Sequence, residues 1–182
     1  MQSLQGQFLI ASRKLNDSNF FRTVVLLVQH REEGAMGLIV NRPLQTTVRE
    51  AWEQVSDEAC ACQAPLHQGG PCEGPLMAIH NDDSLSELEI IPGVHFTTSR
   101  ESIEDLVAQA NGRSKFFIGY AGWSAGQLEA EIEEGSWLTA PVTLDQVYGD
   151  EDGWESLSKT VSRAAAYPWL DPKLIPDDPS VN

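Results

Sequence analysis

Short apolar runs set the rhythm of this chain. Gln7–Ala11, Val24–Val28, Gly37–Val40, Leu76–Ile79, Val94–Thr97, Phe116–Tyr120 and Trp137–Thr139 are rich in β-branched or aromatic residues and are bounded by turn residues. That pattern predicts strands. Several are nearly continuous in apolar residues, as expected of strands buried on both faces. A helical period appears in four other places. Val48, Ala51, Trp52, Val55 and Ala59 share one face, as do Ile103, Leu106, Val107 and Ala110 between an N-cap at Ser99 and a stop at Gly112. Leu128 and Ile132 form a short stripe that Gly135 ends, and Trp154, Leu157, Val161 and Ala164 form the last. Thr143 and Gln146 have the spacing of a capping box and predict one more helical turn. Strands and helices do not alternate regularly, which points to an α+β fold with a mixed sheet.

The 182 residues suit one domain, read here as 1–167. A tail over 168–182, with Pro168, Pro172, Pro176 and Pro179, reads as an extended arm or a disordered, frayed end. Charge narrows the function classes. Twelve Lys and Arg against 27 Asp and Glu give a net charge of −15, a field that repels nucleic acid and anionic membrane. The longest apolar run is far too short to span a bilayer, and the N-terminus lacks the basic start of a signal peptide. With three cysteines and no leader, the expectation is a cytoplasmic protein without a disulfide framework.

The sharpest motif is Gly122-Trp123-Ser124-Ala125-Gly126, which spells the nucleophile elbow of α/β-hydrolases. Such a serine needs a histidine after it in the chain, yet His30, His67, His80 and His95 all precede Ser124. Ser124 and Gln127 also have capping-box spacing, so the expectation is a structural cap on the next helix. Gly119 and Gly122 predict a sharp turn or a close backbone approach. Trp123 is expected to plug the core, with a partly exposed aromatic at a recognition surface as the alternative.

Cys60, Cys62, His67 and Cys72 approach the spacing of a zinc knuckle, although C-x-C is a tight bite for one tetrahedral ion. Zinc is therefore a minor alternative, and no cofactor is expected. His30 and His80 each sit near the end of an apolar strand. Glu129, Glu131, Glu133 and Glu134 are expected mostly on a solvated helix face, with Glu129 and Glu133 spaced to share a cation. Asn41-Arg42-Pro43 ends a buried strand, and Arg42 is expected to pair with a carboxylate or present an anion site.

The stretches GQFLIAS, FFRTVVLLVQH, GAMGLIVNRPL, GGP, GVHFTTS and GYAGWSAGQLEAEIEEGSWL follow one another from about Gln5 to Pro141. In that order they resemble the AlgH/YqgE family of bacterial proteins. The resemblance implies an α+β fold whose mixed, branched β-sheet closes into a barrel-like core with helices packed outside. It also implies a label of transcriptional regulator of alginate production, and it carries over no catalytic residue. The three cysteines are not family features. The reading from sequence is a non-enzymatic binding module for a protein or small ligand. Its candidate residues are Asn41, Arg42, His80, Trp123, Gln127 and Glu129. The alternative is a hydrolase using Ser124 or an activated water with His80.

Overall fold

The structure is a computed structural model that describes residues 3–58, 60–109, 113–149 and 153–166. The proposed tail, Ala59 and the expected stop at Gly112 lie outside the described residues. Eleven strands and five α-helices follow one another among the described residues. Strands β1 (Gln7–Ala11), β2 (Val24–Arg31), β3 (Gly34–Ile39), β10 (Ala121–Ser124) and β11 (Trp137–Pro141) form one sheet in the order β10-β3-β2-β1-β11. Strands β4 (Pro43–Thr47), β5 (Pro65–Gln68), β6 (Met77–His80), β7 (Leu88–Ile91), β8 (Val94–Thr97) and β9 (Ser114–Ile118) form the other, in the order β4-β5-β9-β6-β8-β7. Among the described residues only β5 and β9 pair in parallel; the other pairs are antiparallel.

Alternation along each strand divides the apolar side chains into three cores. Phe8, Ile10, Leu26, Leu38, Met77, Ile79, Val94 and Phe117 come from both sheets and meet between them. The other face of the first sheet packs Leu9, Val25, Leu27, Trp123 and Trp137 against Leu128 of helix α3 (Gln127–Glu133). The other face of the second sheet packs Leu66, Ala78 and Phe116 against α1 (Val48–Trp52) and α2 (Arg100–Ala108). Helix α5 (Gly153–Ala166) lies along β1 and β11, with Trp154 Nε1 donating to the Ala11 carbonyl at 2.8 Å.

The fold is α+β, as expected, but the strands form two sheets and, among the described residues, no barrel closes. Each sheet ends in two edges, β10 and β11 in one, β4 and β7 in the other. The sheets are joined where backbones cross. Ile39 N–H donates to the Gly69 carbonyl, and Gly69 N–H to that of Ile118. Here the predicted strand Phe116–Tyr120 stops early. Gly119 takes φ 69°, and the chain leaves the second sheet to enter the first as β10. A Cβ on Gly119 would lie 2.6 Å from the Gly70 oxygen, and one on Gly70 would collide with the Tyr120 backbone. Close approach is what the glycines of GGP and GYAG supply.

Local signals held where the chain could satisfy them locally. Ser99 caps α2, accepting from Ser102 N–H at 3.5 Å. Thr143 and Gln146 close the expected capping box on α4 (Leu144–Tyr148). Gly135, at φ 78°, ends α3 with paired bonds from Gly135 N–H to the Ile132 carbonyl and from Ser136 N–H to that of Glu131. No helix among the described residues is long and apolar enough to cross a membrane.

Candidate functional site

Two tryptophans and one carboxylate organise residues 122–137. Trp123, 6% exposed, lies on β10, and Trp137, 2% exposed, on β11. Their rings meet edge to face at 5.9 Å, and Phe20 packs on both. Both indole N–H groups donate to one oxygen, Glu131 Oε2, at 2.9 and 2.8 Å. Glu131 Oε1 accepts from Gln127 Nε2 at 2.9 Å, and Gln127 Oε1 accepts from Ser124 N–H at 3.0 Å. A carboxylate thus ties α3 to strands at opposite edges of one sheet.

Three expectations change. Ser124 ends a strand and does not cap α3; the cap position is Gly126 at φ 76°, with no side-chain cap bond. Only the Gln127 half of the capping box forms. The Ser124 hydroxyl makes no hydrogen bond among the described residues, to histidine or otherwise. Second, Glu131 belongs to the tryptophan clasp. Third, Glu129 meets His30 instead of sharing a cation with Glu133. His30 Nε2 donates to Glu129 Oε1 at 2.9 Å, because His30 Nδ1 already accepts from Leu4 N–H. The Glu129 carboxyl is held below the usual carboxylate range, first by its own backbone amide and then by His30.

The other histidines lie elsewhere. His80 is fully buried at the end of β6 in the second sheet, its ring 5.9 Å from that of His95. Burial, then the neighbouring His95, pushes its pKa down. His95 Nδ1 lies 3.0 Å from Ser86 Oγ. His67, on β5, is 2% exposed and packs on Phe117 at 5.4 Å. Burial, aided by the Lys115 charge, lowers its pKa to about 4.

The structure does not gather the four residues of the zinc alternative into one ligand set. Among the described residues no three His, Cys, Asp or Glu side chains come together as metal ligands. Sheet pairing draws His67 into the core and Cys72 to Tyr120, while Cys60 Sγ lies 3.7 Å from the Cys62 carbonyl.

Asn41 and Arg42 converge on the turn Asp17–Arg22. Asn41 Oδ1 accepts from Val24 N–H at 2.8 Å and its Nδ2 donates to the Arg22 carbonyl at 2.9 Å. The Arg42 guanidinium donates to the carbonyls of Asn19 and Phe21. Its bonds therefore go to backbone rather than to the expected carboxylate, although Asp17 lies close enough to act on its charge. Asp17 Oδ1 accepts from Asn19 N–H at 2.7 Å. Held this way, Arg22 takes φ 55°, left-handed and unusual for a residue with a Cβ. Phe20 turns inward onto the tryptophans, and its neighbour Phe21 stands 63% exposed. The Arg22 guanidinium lies over Phe21 at 5.2 Å and over Trp154 at 5.4 Å. The sequence signal was there, in FFR followed by NRP, but pairing it needs the strand register. Asn41 and Arg42 thus meet at this turn, Trp123, Gln127 and Glu129 belong to the α3 region, and His80 lies in the other sheet.

Two open sheets packed face to face, helices outside, and tied backbone crossings define a two-sheet α+β protein. The AlgH-like family pattern matches residues 8–165. The chain belongs to the AlgH-like family. A UPF0301 protein of Chlorobaculum tepidum is 41% identical over 152 residues, covering 80% of this chain and 79% of that protein. One from Ruegeria pomeroyi is 40% identical over 167 residues, covering 86% and 90%. The solution structure of the AlgH protein from Pseudomonas aeruginosa aligns with a TM-score of 0.72 at 33% identity, covering 96% of this chain and 95% of that one. A Corynebacterium diphtheriae protein shares the fold at a TM-score of 0.70 and 23% identity, covering 86% of each chain.

Proposed function

We propose that this protein is a non-enzymatic binding module that works through protein contacts, and that the turn Asp17–Arg22 is its contact element. The observation that carries the reading is an exposed aromatic, Phe21, held in place by Asn41 and Arg42 next to a residue in left-handed backbone. Strain of that kind costs on the order of 1 kcal/mol and persists only where the surroundings enforce it. Aromatic and arginine side chains are the groups that anchor protein interfaces, and an ordered turn loses little entropy on docking. A role in transcription, as the family label suggests, would run through a protein partner, since a net charge of −15 opposes DNA.

The test is photo-crosslinking in the source cells from p-benzoylphenylalanine placed at Phe21, with Val55, 67% exposed, as control. A discrete adduct is expected from position 21 and not from 55, and Asn41→Ala should weaken it by freeing the turn. Absence of an adduct at 21, or the same adducts from both positions, refutes the proposal.

A further inference from the structure

We infer that the partner segment docking at this turn is acidic, with carboxylates beside an apolar side chain; this rests on the reading of Asp17–Arg22 as the contact element. In a chain of net charge −15, four of the 12 Lys and Arg are Arg13, Lys14, Arg22 and Arg42. Interactions place three of the four at or near this turn. Arg42 holds it, Arg22 is part of it, and Arg13 and Arg22 both act on the charge of Glu155 in α5. Lys14 follows Arg13 in the turn after β1.

The described carboxylates in this area, Asp17 and Glu155, each already hold a partner. Asp17 accepts from Asn19 N–H at 2.7 Å, and Glu155 takes Lys159 at 2.8 Å. Among the described residues the cations keep free donors. Arg13, Lys14 and Arg22 are exposed, and none of them donates a side-chain hydrogen bond among the described residues. Arg22 is the best placed. Its Cζ lies over both the Phe21 and the Trp154 rings, and the N–H edge of its guanidinium makes no hydrogen bond among the described residues. A carboxylate meets that edge with two parallel bonds, which a single hydroxyl or carbonyl oxygen cannot do. Phe21, beside it, offers the apolar contact.

The acceptor is better placed on a short protein segment than on a duplex or a membrane. At physiological salt, charge is felt over about 8 Å, so a short segment meets mainly the local cations. An extended polyanion would also face the acidic remainder of the chain.

The test uses the full chain and two fluorescein-labelled peptides of equal length, one alternating Glu with Leu and Phe, the other alternating Lys with the same apolar residues. Anisotropy should show saturable binding of the acidic peptide and none of the basic one. Arg22→Glu and Phe21→Ala should each weaken binding about tenfold, as should raising salt to about 0.5 M. Arg100→Glu, an equal change of net charge at a 73% exposed side chain on α2, should leave binding unchanged. Circular dichroism confirms that each variant is folded. Lack of acidic-peptide binding, equal binding of both peptides, or equal weakening by Arg22→Glu and Arg100→Glu overturns the inference. An adduct from position 21 without acidic-peptide binding rejects only the acidic chemistry, whereas no adduct rejects the contact element itself.

Discussion

Replacing Glu131 by Ala should destabilise the fold far more than loss of a surface carboxylate. The side chain accepts two indole N–H groups on one oxygen, at 2.9 and 2.8 Å, from tryptophans that are 6% and 2% exposed. A hydrogen bond to a charged partner contributes about 1.5–3 kcal/mol, and a buried donor left unpaired costs a comparable amount. Two such donors give an upper range of about 3–6 kcal/mol. Glu131 is half-buried, so water can reach part of the site, and the lower end applies, about 3 kcal/mol. Against a typical total of about 5–15 kcal/mol this is a large fraction. The Glu131→Gln variant keeps one accepting oxygen and should lose about 1 kcal/mol. Equilibrium urea unfolding, followed by tryptophan fluorescence and circular dichroism together, measures both. The midpoint should fall while the slope stays constant, because native and unfolded surfaces barely change. In a double-mutant cycle, Glu131→Ala and Trp137→Phe should couple by about 1–2 kcal/mol. A loss below about 0.5 kcal/mol for Glu131→Ala, the range of ordinary surface substitutions, would refute the reasoning.

Three further outcomes are expected. His67 is neutral in the folded protein, with a pKa of about 4 against an ordinary 6.5, so the unfolded chain takes up its proton first. Its contribution is present in full above pH 6.5 and is lost as pH falls toward 4, a change of about 3 kcal/mol, which His67→Phe should largely remove in urea midpoints compared at both ends. Gly70→Ala should cost several times more than Gly135→Ala in thermal unfolding. The Cβ at 70 strikes the Tyr120 backbone, whereas at 135 nothing lies within 4 Å and only the left-handed φ of 78° is strained, worth about 1 kcal/mol. Ser124→Ala should shift stability by less than about 0.5 kcal/mol, since its hydroxyl holds no helix amide, and a loss near the ~1 kcal/mol of a true cap in the same unfolding assay would contradict the observed Gly126 cap.

The chain's local preferences alone specified its most regular pieces. β1 and β8 run as the apolar pattern predicted, Ser99 and Thr143 begin helices, and Gly135 ends one, because each depends on dihedrals and bonds within a few residues. Where the local signal is weak or ambiguous, strands form that the pattern does not predict. β4, β5, β7 and β10 were not foreseen, since four- and five-residue segments such as PLQTT and AGWS take their strand character from their neighbours. The family resemblance came from residues in order, but what those residues do was decided by long-range pairing. Glu131 reads as a solvated helix position until β10 and β11 bring two indoles to it. Asn41 and Arg42 read as the end of one strand until they meet the turn before another, 17 or more residues earlier in the chain. A sequence records which side chains can bond over one or two turns of backbone. Which distant donor meets which acceptor is set by strand register and by where two backbones can cross, and these exist only once the sheets have formed.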